Sequence, residues 1–174
     1  MKIIRCLIAV SLALPSVSAV ATAPALAAPV VKSGVKTKII KKSDINAMLL
    51  DAEKAANNRD LELLMVHLAP DLVVKITAPG QPTMTLNRAQ YKTITSQVLE
   101  MSENYQYKRL STQIVIAPNG KSARVVTTTH EKMTINSQQI QGTAKSTSIF
   151  QVRGNRILIT SITATTTMSV STEV

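Results

Sequence analysis

Glu131 is the residue whose type and position most strongly suggest chemistry. It lies in a stretch rich in Val, Thr and Ile, and alternate positions from Val125 to Ile135 place it on the same strand face as apolar side chains. A carboxyl group on a dry apolar face gains proton affinity and can act as a polar anchor or a weak base. The alternative is a cross-strand ion pair with Lys108 at the sheet margin, worth under about 1 kcal/mol if exposed.

Hydroxyl groups are predicted to share that face with Glu131. The predicted strand registers bring together Thr112, Thr127, Thr129, Ser146, Ser148, Ser161 and Thr163. Buried hydroxyls need partners, which backbone, water or a ligand can supply, although the β-propensity of Thr explains this pattern without any ligand. Tyr91, on the buried stripe of a predicted helix, could add a phenol to the same space. The candidate ligand-binding residues are therefore Tyr91, Lys108, Thr129, Glu131, Ser146 and Thr163.

Other catalytic chemistries find little support in the sequence. The two histidines, His67 and His130, are too few and too far apart to predict a metal site. Gly-rich phosphate loops, nucleophile elbows and paired metal-ligand motifs are absent from the sequence. We therefore expect neither a metal nor a cofactor.

The first residues of the chain predict export. Lys2 and Arg5 precede a short apolar run at 7–14, and small residues follow up to position 27. This pattern is typical of a signal peptide, with cleavage expected between positions 19 and 28. No apolar segment approaches the roughly 20 residues of a membrane-spanning helix. The single cysteine, Cys6, would leave with the leader, so we predict a thiol-free protein in the periplasm or outside the cell.

Charge is concentrated outside the predicted domain. The chain has a formal net charge of +10, but residues 43–174 hold 13 basic and 10 acidic residues, a net charge of +3. We predict a flexible linker at 28–42, whose five lysines serve either as a solvated spacer or as a tether to an anionic surface. With three Tyr, one Phe and no Trp, nucleic-acid binding is disfavoured.

Helices and one strand are predicted in the first half of the domain at 43–174. A cap at Ser43–Asp44 begins a first helix that ends near Asn57, and Asp60 caps a second, shorter helix that Pro70 stops. The β-branched run at 71–77 predicts a strand. A third helix follows a cap at Asn87, with a buried stripe formed by Tyr91, Ile94, Val98, Met101 and Tyr105.

Four antiparallel strands are predicted from about Gln106 onward. The turn signals Asn119–Gly120, Asn136–Gln139 and Gly154–Asn155 divide this Thr-rich region. Opposed residues in an antiparallel pair have a constant sum of positions, which predicts the pairs Ile114 with Val125, Val125 with Phe150, Phe150 with Ile159, and Glu131 with both Lys108 and Ala144. On the opposite face the same registers group Ile149, Leu158 and Ile162, an apolar set that predicts a partner surface.

The order of these elements resembles the nuclear transport factor 2-like superfamily. The stretch AEKAANNRDLELLMVHLAPDLVVKI is similar to the superfamily's opening, with Asp60 and Asp71 at its two acidic positions. The closing STSIFQVRGNRILITSIT resembles its last hairpin, without the Trp often found after the turn. The resemblance covers roughly residues 44–168 and implies an α+β cone in which N-terminal helices pack in a curved, mostly antiparallel sheet, as in ketosteroid isomerases and polyketide cyclases.

The resemblance implies several functions and selects none of them. Superfamily members commonly pair through their sheets, which implies a homodimer formed by Ile149, Leu158 and Ile162. Isomerase-like members use a carboxylate base facing a Tyr or acid. In this chain the first strand, where such a base might be sought, offers Lys75 and Thr77 instead. We expect a binding or assembly module without catalysis; the alternative is an isomerase, cyclase or dehydratase that uses Glu131 with Tyr91.

Overall fold

The computed structural model describes residues 38–171, which form three helices and one six-stranded sheet. In chain order the elements are α1 (Lys42–Asn57), α2 (Leu61–Val66), β1 (Leu68–Thr77), β2 (Met84–Asn87), α3 (Arg88–Met101), β3 (Glu103–Ile116), β4 (Ser122–Ile135), β5 (Gln138–Arg153) and β6 (Arg156–Ser171). The predicted signal peptide and most of the predicted linker lie outside the described residues.

The sheet order is β2-β1-β6-β5-β4-β3, with β1 and β6 parallel and the other neighbours antiparallel. Bulges in β1, β3 and β6 bend the sheet. The predicted α+β class with a curved, mostly antiparallel sheet is confirmed. Strand β2, which pairs with β1, was not predicted because its four residues are too few to show a period.

Helix caps explain where the helices begin. The Asp60 carboxylate accepts a hydrogen bond from the Leu63 N–H at 2.9 Å, and Asn87 Oδ1 accepts one from the Gln90 N–H at 2.9 Å. Both residues were predicted as caps. Helix α1 begins at Lys42, slightly earlier than predicted, because Asp44 accepts from the Lys41 N–H at 3.0 Å. None of the helices within residues 38–171 is long and apolar enough to cross a membrane.

The core consists of two apolar clusters. The first contains Ile40, Ile45, Met48, Ala123, Val125, Phe150 and Ile157 at the end of the sheet where the β3–β4 and β5–β6 turns lie. The second contains Met65, Leu68, Leu72, Val74 and Leu86 between α2, α3 and β1. Ile40 is buried, and its N–H donates to the Gly120 carbonyl at 2.8 Å, so the predicted linker boundary at residue 42 lies too late.

Two of the predicted turns are confirmed in register and one is wrong. Ile114 pairs with Val125, and Phe150 pairs with Ile159. The β4–β5 connection is a two-residue turn at Asn136–Ser137 rather than four residues at Asn136–Gln139. Both turn residues have positive φ, 50° and 61°, the backbone of a tight type I′ hairpin.

Single-residue bulges overturn two further predictions. In β6, Phe150 pairs with Ile159 but Ile149 pairs with Ser161, so Thr160 is an extra residue. Every residue after it changes face: Ile162 packs inside against the second core cluster, and Thr163 is exposed on the outer face. The predicted outer group of Ile149, Leu158 and Ile162 therefore loses Ile162.

The third helix also differs in detail from its predicted stripe. It ends at Met101, which is exposed, whereas Leu99 and Ser102 are buried at its C-terminal end. Tyr105 belongs to β3 and not to the helix. The Ser102 hydroxyl donates to the Val98 carbonyl, which stops the helix and starts β3 at Glu103.

Candidate functional site

Glu131 lies on the concave face of β4 and meets all three tyrosines of the chain. Its register partners are Tyr107 on β3 and Gly142 on β5. Tyr105, two residues before Tyr107, shares its face, and Tyr91 approaches from α3. We call Glu131, Tyr91, Tyr105 and Tyr107 the Glu131 cluster.

A hydrogen bond joins two members of the cluster. The Tyr105 hydroxyl donates to Glu131 Oε2 at 3.2 Å, and both side chains are partly buried. Burial raises the pKa of Glu131, while the Tyr105 hydrogen bond and the neighbouring His130 oppose that rise. The carboxyl therefore holds its proton to a higher pH than an exposed glutamic acid.

Each tyrosine responds to Glu131 electrostatically. Burial, followed by the Glu131 charge, raises the pKa of Tyr91, Tyr105 and Tyr107. The Thr95 hydroxyl opposes this rise in the pKa of Tyr91, and the Thr129 hydroxyl opposes it in the pKa of Tyr107. The cluster is thus a set of neutral phenols around one carboxyl group.

Helix α1 fixes the strand that carries two of these tyrosines. Asn57 accepts from the Tyr107 N–H at 2.8 Å and donates to the Tyr107 carbonyl at 2.9 Å. Because β3 is an edge strand, these bonds satisfy backbone groups that no neighbouring strand reaches. The end of α1 therefore sets the position of Tyr107 relative to Glu131.

The predicted pairing of Glu131 with Lys108 is wrong. A bulge at Leu110 shifts the β3–β4 register by one residue, so that Lys108 pairs with His130 on the outer face and is exposed. None of the ion pairs formed within residues 38–171 includes Glu131. Glu131 is consequently a buried carboxyl held by a phenol and not a margin ion pair.

The same bulge brings Arg109 to the concave face. A bulge cannot be seen in the sequence pattern, so Arg109 was not among the predicted site residues. Arg109 Nε lies 3.7 Å from Glu53 Oε2, and the Arg109 N–H donates to Glu53 Oε1 at 3.3 Å. Arg109 Nη1 is buried without a hydrogen-bond partner in the described residues. Arg109 pairs with Thr129, which is the inward-facing residue of β4 next to Glu131. Its Nη1 is therefore an unused hydrogen-bond donor close to the Glu131 cluster.

The predicted hydroxyl set is only partly assembled. Thr127 and Thr129 are buried; the Thr127 and Ser146 hydroxyls bond each other at 2.8 Å, and Thr129 donates to the Ala144 carbonyl at 3.5 Å. These contacts satisfy the hydroxyls within the sheet. With Thr163 on the other face, the predicted ligand-binding residues that remain together are Tyr91, Thr129, Glu131 and Ser146.

His67 lies apart from the cluster, at the end of α2. Its Nε2 is 3.7 Å from Asp51 Oδ2, and burial lowers the pKa of His67, while the Asp51 carboxylate opposes that fall. Within residues 38–171 no group of three or more potential metal ligands occurs. Lys75 and Thr77 project from β1 on the outer face, so the first strand offers no inward base.

A small cavity of about 50 Å³ adjoins Glu131. Gly142, Thr143, Ala144, Thr166, Thr167 and Met168 line it. Such a volume holds a few atoms only, since drug-sized ligands occupy roughly 300–1,000 Å³.

Gly142 permits the close approach of β6 beside this cavity. A Cβ at position 142 would lie 2.7 Å from the Thr167 carbonyl oxygen and 3.0 Å from Met168 Cγ. We expect Gly142→Ala to lower the free energy of unfolding by about 1–3 kcal/mol, because a backbone oxygen cannot yield without moving the strand. Urea denaturation measures this, with exposed Gln141→Ala as control; a Gly142→Ala protein as stable as wild type would contradict it.

Comparisons with known proteins agree with the geometry. The family model described as SnoaL-like domain matches residues 45–163. The fold is similar to hexachlorocyclohexane dehydrochlorinase type 3 from Novosphingobium barchaimii LL02, with a TM-score of 0.62, 11% identity and coverage of 76% of this chain and 91% of that one. It is also similar to a nuclear transport factor 2-like protein from Cytophaga hutchinsonii ATCC 33406, with a TM-score of 0.58, 16% identity and coverage of 72% and 98%.

These structural likenesses establish the fold and nothing finer. At 11% and 16% identity they carry no residue roles to this chain. No curated protein matches it in sequence.

Proposed function

We propose that this chain, which belongs to the SnoaL-like domain family, is an exported module that binds a small uncharged molecule at the Glu131 cluster without transforming it. The observation that carries this proposal is the Tyr105–Glu131 hydrogen bond inside the cone, where burial raises the pKa of Glu131. A protonated carboxyl donates as well as accepts, so it suits a carbonyl or hydroxyl ligand.

The donors around the cluster define the ligand further. The phenols of Tyr91 and Tyr107 and the unpartnered Arg109 Nη1 are hydrogen-bond donors on the concave side. A ligand with one or two oxygen acceptors would satisfy them. The 50 Å³ cavity beside Glu131 admits only a compact group, so we expect a small ligand.

Binding without catalysis agrees with the tyrosine electrostatics. An acid that stabilises a developing oxyanion works best when its pKa is near the working pH. Here burial and the Glu131 charge move the pKa of all three tyrosines upward, away from neutrality. They are therefore poorer proton donors than ordinary tyrosines.

One observation favours an enzyme as the second candidate. Burial raises the pKa of Glu131 toward neutrality, which is the direction in which enzymes tune a carboxylate base. Relatives in fold include a dehydrochlorinase. Under this alternative Glu131 removes a proton next to a carbonyl group while Tyr91 or Tyr105 donates to the carbonyl oxygen.

Tyrosine labelling tests the binding proposal. With fluorotyrosine at all three tyrosines, every fluorine signal reports on the Glu131 cluster. We expect at least one probe from a panel of small ketones and alcohols to shift these signals. Glu131→Leu should weaken that probe by about tenfold, or about 1.4 kcal/mol, because leucine removes both the donor and the acceptor of the carboxyl group.

The same fluorine measurement on a control variant shows whether the loss of affinity is specific to Glu131. Glu103→Leu makes the same substitution at an exposed position of β3 and should leave probe affinity unchanged. Signals that stay fixed with every probe would contradict binding at this cluster. Exchange of ketone α-protons with deuterated solvent, faster with wild type than with Glu131→Gln, would establish the enzyme instead.

Export and self-association belong to the proposal as well. The charged and apolar pattern of residues 1–27 supports a periplasmic or secreted protein. Self-association through the sheet stays a prediction. Ile162 lies inside the core and Leu158 is buried, so Ile149 alone remains of the apolar set that suggested it.

A further inference from the structure

The outer face of the sheet carries the strongest segregation of charge in the described residues. Seven exposed cations project from it: Lys75, Lys108, Arg124, Lys132 and Lys145, with Arg153 and Arg156 near the β5–β6 turn. The registers place them on one side, because Lys108 pairs with His130 and Lys145 pairs with Thr128, whereas Glu131 faces inward. We call this surface the outer basic face.

Carboxylates are excluded from the area between these cations. The described strands contain three acidic residues, and one of them, Glu131, is inside the cone. Glu103 lies beyond the last row, opposite Thr134, and Asp71 forms an ion pair with Arg153 at 3.4 Å near the other end. The face is therefore uniformly positive, and a partner that covers it must be negative.

Neutral polar groups fill the space between the cations. An open depression of about 280 Å³ is lined by His130, Gln141, Gly142, Thr143, Thr167, Met168 and Ser169. Hydroxyl and amide groups donate to, and accept from, the hydroxyl, carboxylate and sulfate groups of a glycan. The depression supplies hydrogen bonds where the lysines supply charge.

Tyr, Phe and Trp side chains are absent from this face within residues 38–171, and the one imidazole there is His130. Tyr91, Tyr105, Tyr107 and Phe150 lie on the concave side or in the core. These are all the Tyr and Phe residues of the chain, which has no Trp. With a single imidazole on which bases can stack, a single-stranded nucleic acid gains little beyond charge.

We infer that the outer basic face binds a flexible acidic polysaccharide. The bulges at Leu110 and Thr160 curve the sheet, so this face is convex, and a flexible chain can follow it while a planar bilayer touches only its crest. Docking of a second copy over the lysines and Arg124 would set like charges against each other with no carboxylate between them. This site is independent of the Glu131 cluster.

Charge reversal tests the assignment. Heparin serves as the sulfated probe and polygalacturonate as the carboxylated one, each titrated calorimetrically into the protein at an ionic strength of about 0.15 M. We expect the double variant Lys132→Glu/Lys145→Glu to bind both at least about tenfold more weakly, since it replaces two attractive charges with repulsive ones. Glu131→Gln should bind them as wild type does.

The matched control is Lys54→Glu/Lys121→Glu, which changes net charge equally at exposed positions on α1 and on the β3–β4 loop. We expect it to weaken binding less than about threefold, because its charges lie off the convex face. Equal losses in the two variants would overturn the proposal. Tighter binding of wild type to single-stranded DNA or to phosphatidylserine vesicles, or a wild-type dimer that shields Lys132 and Lys145 from acetylation, would overturn it as well.

Discussion

Phe150→Ala is expected to lower the free energy of unfolding by about 3–5 kcal/mol, one of the largest losses any single substitution can cause in this domain. Phe150 is fully buried, with a relative exposure of 0%, and packs in the first core cluster beside Ala123 and Val125. Its small neighbours cannot move in to fill the cavity that alanine leaves. Urea denaturation measures the change.

Val115→Ala provides the control, because Val115 on β3 is 64% exposed and should change stability by less than about 0.5 kcal/mol. A loss below about 1 kcal/mol for Phe150→Ala would show that this cluster is not the core. Phe150 and Glu131 face the same side of the sheet but lie about eight residues, roughly 27 Å, apart along the strands. The two substitutions should therefore be additive.

The hairpins that sequence could predict are those whose turns contain glycine. Gly120 and Gly154 have φ of 65° and 60°, values that glycine adopts at little cost, and the registers counted from both turns are confirmed next to them. The β4–β5 turn contains Asn136 and Ser137 instead. Ser is an unusual choice for positive φ, so the turn residues gave no clear signal and the register was predicted two residues off.

Bulges explain why the site could be predicted only in part. An extra residue such as Leu110 or Thr160 leaves no mark in the apolar pattern, but it moves every later residue to the other face. Glu131 was predicted correctly to face inward because β4 has no bulge relative to β5. Lys108 was predicted inside, opposite Glu131, but the bulge turns it outward and brings Arg109 inside.

The cluster itself depends on contacts that no local pattern contains. Tyr107 lies opposite Glu131 through the bulged β3–β4 register, and Asn57, 50 residues earlier, bonds its backbone. Tyr105 reaches Glu131 because α3 ends early enough for β3 to include it. The sequence shows where three tyrosines and a glutamate lie along the chain. Only the fold shows that they meet at one point.

Glu131→Gln should gain stability relative to wild type as the pH rises. Burial raises the pKa of Glu131 in the folded protein above its ordinary value of 4.5, so the folded state holds a proton that the unfolded state releases. Stability of wild type is therefore full below pH 4.5 and is lost as the pH rises through the folded pKa. Gln keeps an oxygen that can accept from Tyr105 and has no charge to bury.

Denaturation of both proteins between about pH 4 and pH 8 measures the difference, with Glu103→Gln as the baseline for removing an exposed carboxylate. Each tenfold rise in the proton affinity of Glu131 corresponds to about 1.4 kcal/mol at the top of that range. The curve for Glu131→Gln must rise with pH and then level off, because ionisation of one group is complete above its folded pKa. A difference that stays flat would mean that water reaches the carboxylate. It would remove the physical basis for ligand binding and for catalysis together, since binding needs a carboxyl that keeps its proton and a base needs a pKa raised above that of an exposed glutamate.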